Sequence, residues 1–306
     1  MDLTNKLSSF LNEDVAYFLG LVVGRGTMVK SAELNKLIIN FPFKNLEANS
    51  PINPEKKYDT QTYLSTSVDR IVERLKRLGL DVSKINSPDD RGVALVIAWR
   101  KTDLTWQLIS FLLNDEHSDY HSFRVPRAVF HADKEKQMEF LRGYFDVTGY
   151  VRASNRQFGA DDKQRIYLEV DHRNWFLVLD IWKMLDKAGI PVESVDFGHP
   201  NFRDPDFIKR PGFWAKEHQI KIFANQFLPI GSYLKHKQEI LADLASMNET
   251  GLGDKKKEKK IRKTKKSQNP EESSEKLPGF LQGKHFDHYS ELLSFLEKND
   301  KIRAYD

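Results

Sequence analysis

The chain has no cysteine among its 306 residues. Disulfide scaffolds, thiolate-held zinc, iron–sulfur clusters and thiol nucleophiles are therefore excluded. No run approaches the roughly 18 uninterrupted apolar residues of a membrane span, and the start Met1-Asp2-Leu3-Thr4-Asn5-Lys6 has no apolar signal region behind a basic segment. The expectation is an intracellular protein without membrane contact, cytoplasmic or associated with a nucleoid or organelle. No HExxH, Walker loop, dinucleotide fingerprint or G-x-S-x-G segment occurs. The common soluble enzyme classes marked by those motifs are thereby disfavoured.

A strong excess of one charge is also missing. Lys and Arg number 48 against 44 Asp and Glu, a net charge of +4. The run 254–266 (DKKKEKKIRKTKK) holds nine basic and two acidic side chains, while residues 271–306 hold five basic and eight acidic. The +7 of the first and the −3 of the second leave residues 1–253 neutral. Bulk charge thus gives no case for nucleic acid in the main body. The basic run reads either as a solvated linker or as a set of phosphate contacts that release condensed counterions and bind all sequences alike. Between Glu249 and Lys276 the large apolar residues are Leu252 and Ile261, so this stretch is expected to be a disordered linker. After it, Phe280, Leu281, Phe286, Tyr289, Leu292, Leu293, Phe295 and Leu296 form an apolar pattern with helical spacing beyond Asp287. One short helix buries too little to fold alone, so this tail is expected to dock on the body or on a partner.

What is present in the body is an internal repeat. Tyr17-Phe18-Leu19-Gly20-Leu21-Val22-Val23-Gly24-Arg25-Gly26-Thr27-Met28-Val29 aligns with Phe140-Leu141-Arg142-Gly143-Tyr144-Phe145-Asp146-Val147-Thr148-Gly149-Tyr150-Val151-Arg152, with Gly20 on Gly143 and Gly26 on Gly149 at a single offset of 123. Each copy reads as an apolar helix that closes at a glycine and runs into a strand. Further on, Val68, Ile71, Val72, Leu75 and Leu78 form a helical stripe before Gly79, as Trp175, Val178, Leu179, Trp182 and Leu185 do before Gly189. An apolar strand follows each, Val93–Trp99 in the first copy and His218–Ala224 in the second. The order α-β-β-α-β-β-α is therefore expected over about 10–114 and again over about 134–247. This predicts an α+β fold of two pseudo-symmetric repeats with antiparallel sheets. Residues 1–124 and 125–248 form the repeats, 249–276 the linker and 277–306 the short helical tail.

Alternation fixes which way the strands face. Ile166, Leu168 and Val170 share one side, and Arg165, Tyr167, Glu169 and Asp171 the other; Val151 and Ala153 point inward, and Tyr150, Arg152 and Ser154 outward. One sheet face is thus polar, charged and aromatic. An ordinary solvated face of an antiparallel sheet gives the same pattern.

The paired helix–glycine segments resemble the two signature motifs of the LAGLIDADG homing endonucleases of the single-chain kind. The second copy, Phe140 to Val151 with its basic Arg142, carries most of the likeness, together with Val125-Pro126-Arg127 upstream of it. The resemblance implies that two central helices, over 13–24 and 136–147, pack on a pseudo-twofold axis, with Gly20, Gly24 and Gly143 permitting close approach. It implies a pseudo-dimeric monomer whose two sheets form a saddle over the major groove of double-stranded DNA. Thr27, Lys36 and Asn40 in the first repeat and Tyr150, Arg152, Ser154, Arg165, Tyr167, Glu169 and Asp171 in the second are then the DNA-facing residues, Arg165 reading guanine, and Arg25 a phosphate contact at the centre.

The same resemblance exposes a departure. Cleaving members place one acidic residue from the end of each motif helix on divalent metal at the scissile phosphates. Those positions hold Arg25 and Thr148 here. Neither is a carboxylate, so no resident metal is expected, and Mg²⁺ enters only if carboxylates have moved, for example to Asp146 with Glu169 or Asp171. The expected function is a catalytically degenerate, sequence-specific DNA-recognition module, for instance of a restriction-type system with a separate nuclease or methyltransferase subunit. The alternatives are an active endonuclease with relocated acids and an RNA-binding splicing helper of the maturase kind. Asp161-Asp162-Lys163 and His285-x-x-His288 are weaker signals, the first read as a turn and the second as two histidines without further ligands.

Overall fold

Asn12 caps the first helix, its side chain accepting a hydrogen bond from the Val15 N–H at 2.9 Å. Glu13 and Asp14 occupy the first turn, where the helix dipole favours acids. This helix, α1 (Glu13–Arg25), is buried on every side from Val15 to Gly24, as a helix apolar all round must be. The computed structural model describes residues 10–32, 34–87, 89–100, 102–114, 117–151, 163–199, 217–250, 280–281 and 283–301. From α1 the chain enters β1 (Gly26–Lys30) and β2 (Leu34–Pro42), then an insertion of α2 (Phe43–Leu46), β3 (Ala48–Asn49), β4 (Lys57–Tyr58) and α3 (Gln61–Ser67). The first repeat is completed by α4 (Asp69–Arg77), β5 (Val82–Asn86), β6 (Gly92–Arg100) and α5 (Leu104–Leu112).

After the one-turn α6 (Arg127–Phe130) the order recurs as α7 (Lys134–Thr148), β7 (Gly149–Tyr150), β8 (Arg165–Asp171), α8 (Trp175–Lys187), β9 (Ser194–His199), β10 (Glu217–Phe223), α9 (Ala224–Phe227) and α10 (Lys235–Thr250). The two main sheets run β1-β2-β6-β5 and β7-β8-β10-β9, the second extended by the tail strand β11 (His285–Phe286), and their strand pairs are antiparallel. The architecture is α+β, with αββαββα repeated. Leu37, Ile39, Phe41, Leu95 and Ile97 from the first sheet, and Ile166, Leu168 and Val170 from the second, turn towards the helices and are buried. The alternation in β8 therefore has the phase expected.

The two central helices touch backbone to backbone. A Cβ on Gly20 would lie 2.1 Å from the Phe140 carbonyl oxygen, and one on Gly143 would lie 2.1 Å from the Tyr17 carbonyl oxygen. Gly24 faces Val147, whose side chain a Cβ would meet at 2.5 Å. Arg74 from α4 locks the same crossing: it donates to Asp14 at 2.7 Å and to Glu139 at 2.8 Å, and its guanidinium lies 4.0 Å from the Tyr17 ring centroid.

The tail docks on the second repeat. Its strand β11 pairs with β9, placing Phe286 opposite Val195, and helix α11 (Tyr289–Lys298) follows. Tyr289 packs on Trp182, Phe280 stands edge-on to Trp175, and Leu281, Leu292 and Leu296 are fully buried. The tail thereby covers the open edge of β9, which would otherwise present unpaired backbone groups. His285 pairs with Asp196 and Asp287 in this contact, so it serves docking. It and His288 both precede the helix rather than share a helical face. Helix α10 continues through Thr250, past the expected linker boundary at Glu249. Residues 251–276, Arg152, Ala153, Ser154, Asp161 and Asp162 lie outside the described residues.

Backbone contact at Gly20 leaves no space for a methyl group, so Gly20→Ala should destabilise the protein by ~3 kcal/mol, the upper range for overpacking. Alanine's better helix propensity, worth about 1 kcal/mol, acts in the opposite direction. Urea denaturation of the two proteins checks this, and an unchanged midpoint would be inconsistent with the helix contact.

Candidate nucleic-acid interface

Each central helix ends where its repeat's first strand begins, which brings Arg25 and Thr148 to the middle of the molecule. The Thr148 hydroxyl donates back to the Tyr144 carbonyl at 2.7 Å, within its own helix, and the Thr148 carbonyl accepts from Asn45 Nδ2 at 2.9 Å. Thr148 is buried, and its hydroxyl is committed to the helix. Lys237, also fully buried, donates to the carbonyls of Phe145 and Gly149, each at 3.0 Å, and so satisfies backbone acceptors left open at the end of α7.

Arg25 meets a carboxylate from the facing sheet. Its guanidinium pairs with Glu169 at 3.1 Å and lies 5.5 Å from the Tyr120 ring centroid. Lys44, delivered by α2, also pairs with Glu169 at 3.1 Å and makes a short ion pair with Glu217 at the start of β10. Asn45 Nδ2 donates to Glu169 at 3.2 Å. Two cations and two acidic side chains thus meet beside the end of α1, and the Glu169 side chain is 1% exposed.

Protonation in this cluster follows from burial and near neighbours. Burial alone would raise the Glu169 carboxyl, but a hydrogen bond with Glu217, the charges of Lys44 and Arg25 and a hydrogen bond with Tyr150 hold it down at about 2. Burial and the adjacent Glu169 push Glu217 up to about 8, with Lys44 and Arg25 opposing. Burial disfavours the Arg25 charge, yet Glu169 and Glu217 more than compensate, so it stays protonated.

This arrangement does not fit a divalent metal. Arg25, Lys44 and Asn45 converge on Glu169 Oε2 and Lys44 also holds Glu217 Oε1, so two fixed cations stand where an ion would need to sit, and the Thr148 hydroxyl is turned to its own helix. Among the described residues no group of three or more His, Cys, Asp or Glu side chains is placed to hold a metal.

Asp146, considered above as a relocated acid, needs correction. It is fully buried between the repeats and accepts from the Tyr17 hydroxyl at 2.7 Å, the Ser232 hydroxyl and the Tyr233 N–H at 3.2 Å. Burial raises its carboxyl, against Lys237 and these hydrogen bonds. It ties α7 to α1 and to the approach to α10, and it has no path to a phosphate.

The outer face of the second sheet is also less open than alternation suggests. Arg165 has the expected side but is 8% exposed; both arms of its guanidinium bind Glu193, and it lies 5.2 Å from the Phe223 ring centroid. A guanidinium held this way is not free to read guanine. Tyr150 is 5% exposed and hydrogen-bonded to Glu169, so it is not an outward aromatic platform. Asp171 pairs with Arg173 at 3.0 Å and His121 at 3.1 Å, and Lys221 pairs with Asp196 at 2.6 Å. Tyr167 is half-buried on the same face. In the first sheet, Lys36 is exposed and Thr27 and Asn40 are half-buried on the outward side of β1 and β2.

Lys44, Asn45, Tyr120 and Glu217 are central residues that reading the sequence missed. Glu217 had a signal: it shares the parity of Gln219 and Lys221 on the polar side of β10. Lys44 and Asn45 had none, because the second repeat has no counterpart of the α2 insertion. Among the described residues no helix is long and apolar enough to cross a membrane.

No protein-family model matches the chain, and no curated protein matches it. Among solved structures, the chain is similar to the homing endonuclease I-DmoI. A complex of I-DmoI with DNA and manganese is 12% identical with a TM-score of 0.36, covering 76% of this chain and 97% of that one. A complex with DNA and calcium is 13% identical with a TM-score of 0.37, covering 75% and 96%. Mesophilic variants of I-DmoI give 12%, 0.36, 78% and 97% in the same order.

Removing Arg25 leaves Glu169 buried with one fewer cation. Arg25→Met should therefore cost about 3 kcal/mol of stability in urea denaturation, as breaking one side of a buried ion pair does; a neutral change would mean that Lys44 alone balances the pair.

The cluster also sets a pH dependence. Glu217 binds its proton more tightly folded than unfolded, so that contribution is complete below pH 4.5 and is lost as pH rises towards about 8. Glu169 has the opposite sign, contributing above pH 4.5 and losing that contribution as pH falls through about 2. From pH 4.5 to 8 this cluster's slope therefore belongs to Glu217. Melting temperature should carry a falling component across that window, and Glu217→Gln should flatten it.

Proposed function

We propose that the chain is a sequence-specific double-stranded DNA-binding protein of the LAGLIDADG homing-endonuclease type that has lost that family's cleavage chemistry. The observation that carries this reading is the Arg25–Glu169–Lys44–Glu217 cluster at the ends of the two central helices. In a cleaving relative that position requires carboxylates free to bind metal, to activate water and to stabilise the leaving oxygen. Here two fixed cations neutralise the carboxylates, and a threonine bonded to its own helix stands at the other acidic position.

In this reading residues 1–124 and 125–248 act as two halves of one DNA-recognition saddle, a pseudo-dimer in a single chain. A separate nuclease or methyltransferase subunit, as in a restriction-type system, would supply any chemistry on the bound DNA. Relocated catalysis at Glu169 and Asp171 is disfavoured because both carboxylates are held in ion pairs. The RNA-helper reading has no observation of its own to favour it.

Selection of bound fragments from random duplex DNA, in Mg²⁺ and in Mn²⁺ with product ends inspected, tests the proposal. The expected result is enrichment of a defined sequence with every fragment intact. Site-specific nicking abolished by Glu169→Gln would overturn the loss of chemistry, and failure to bind any duplex would overturn the DNA reading itself.

A further inference from the structure

The outward faces of the two sheets differ in kind. Strands of the second sheet carry Glu169, Asp171, Asp196 and Glu217 beside Arg165 and Lys221, and the two cations are paired. Strands β1, β2, β5 and β6 carry no Asp or Glu; of their cations Lys36 and Arg100 face outward, while Lys30 and Lys84 share the side of the buried Asn35 and Leu95, where Lys84 pairs with Asp69. The rest of their outward side mixes the polar Thr27, Asn40 and Ser83 with aliphatic residues. Val29, Leu34 and Ile85 are 43%, 41% and 48% exposed, and the half-buried Ile38 and Val96 stand directly opposite each other on β2 and β6. Lys36 and Arg100 are exposed on the same side.

We infer that this first-sheet face reads A·T-rich duplex DNA through the C5-methyl groups of thymine. The inference rests on the DNA-binding reading above and gives it a base preference. Four strands about 4.8 Å apart make a face about 14 Å across, close to the roughly 12 Å width of the major groove. In that groove thymine alone among the four bases offers an apolar group, and aliphatic side chains are its complement. Ile38 and Val96 form the apolar centre, while Lys36 and Arg100, without acids on their own sheet, suit the phosphates alongside. A protein partner or a second copy of this chain would also cover an aliphatic face. The exposed cations Lys36 and Arg100 on the face itself favour a polyanion. Duplex RNA is disfavoured, because uracil has no methyl group and the A-form major groove is too deep and narrow to enter.

The test uses the full chain and the duplex enriched by selection, synthesised with deoxythymidine and again with deoxyuridine at each A·T pair of one half-site. The expected result is an A·T-rich half-site whose affinity falls by about 4-fold for each contacted methyl removed, the effect of withdrawing one buried carbon. The double variant Ile38→Ser/Val96→Ser, first confirmed as folded by its melting transition, should bind the two duplexes alike. Tight, specific binding with no thymine-to-uracil difference would overturn this inference and leave the DNA reading standing. Absence of binding to any duplex would overturn both. Self-association without DNA that the same double variant abolishes would assign the face to a second copy and overturn the inference.

Discussion

The contact that everything else depends on is the crossing of α1 and α7 at Gly20 and Gly143. With no side chain on either residue, each helix rests on a carbonyl of the other. Dispersion and exclusion of water then act along two backbones instead of two layers of side chains. That proximity fixes where the helices end, and hence where β1 and β7 begin. Arg25 and Thr148 become neighbours of the same central space because of a contact set five residues earlier in each helix. Polar side chains hold the crossing at its flanks, Arg74 between Asp14 and Glu139 and Tyr17 on Asp146. Buried pairs of this kind add little net stability against apolar replacements, but removing one partner is costly. They therefore act mainly to exclude other crossing geometries.

Much of this is legible in the sequence, for physical reasons that also mark its limits. The single offset between the glycines identifies the crossing because close backbone approach tolerates only one residue type. The parity of Ile166, Leu168 and Val170 gives the facing of β8 because a strand has a period of two. Parity gives the side and not the cover. Arg165 has the expected side, but Glu193 lies beyond the strand's end and comes to it from the loop before β9. Tyr150 likewise points out of the core and still becomes buried, because α2 brings Lys44 over it. Contacts made by an insertion in one repeat have no internal echo in the other, so symmetry could not reveal them. Asp146 shows the converse: a motif position that looks chemical is a structural anchor, because its three donors come from Tyr17, Ser232 and Tyr233 far along the chain.

The central cluster has electrostatic consequences as well as structural ones. A metal-dependent site needs uncompensated carboxylates, which repel DNA until the ions arrive to bridge acid and phosphate. Here the compensation is covalently part of the chain. Arg25 and Lys44 remain in place whatever the ionic conditions, and the proton on Glu217 leaves the cluster with an excess of positive charge near neutrality. In the proposed DNA-binding reading, a phosphate over the centre would meet fixed cations instead of uncompensated carboxylates.

That central attraction is weak, because each guanidinium or ammonium is already engaged by a carboxylate 3.1 Å away. A phosphate competing for Arg25 must give up its own hydration while Glu169 keeps its hold, and Glu169 cannot withdraw from its buried position. The second sheet repeats the situation at Arg165 and Lys221, whose carboxylate partners are half-buried. Paired cations of this sort hold the protein's own geometry and contribute little counterion release. In the proposed DNA-binding reading, affinity for a polyanion comes from cations outside these pairs, and on the described strands Lys36 and Arg100 of the first sheet face outward, with Asp103 held at the Arg100 N–H. The two repeats thus share a fold and differ in charge: the second sheet's Arg165 and Lys221 are paired with carboxylates, and the first sheet's outward face presents Lys36 and Arg100 on strands without Asp or Glu.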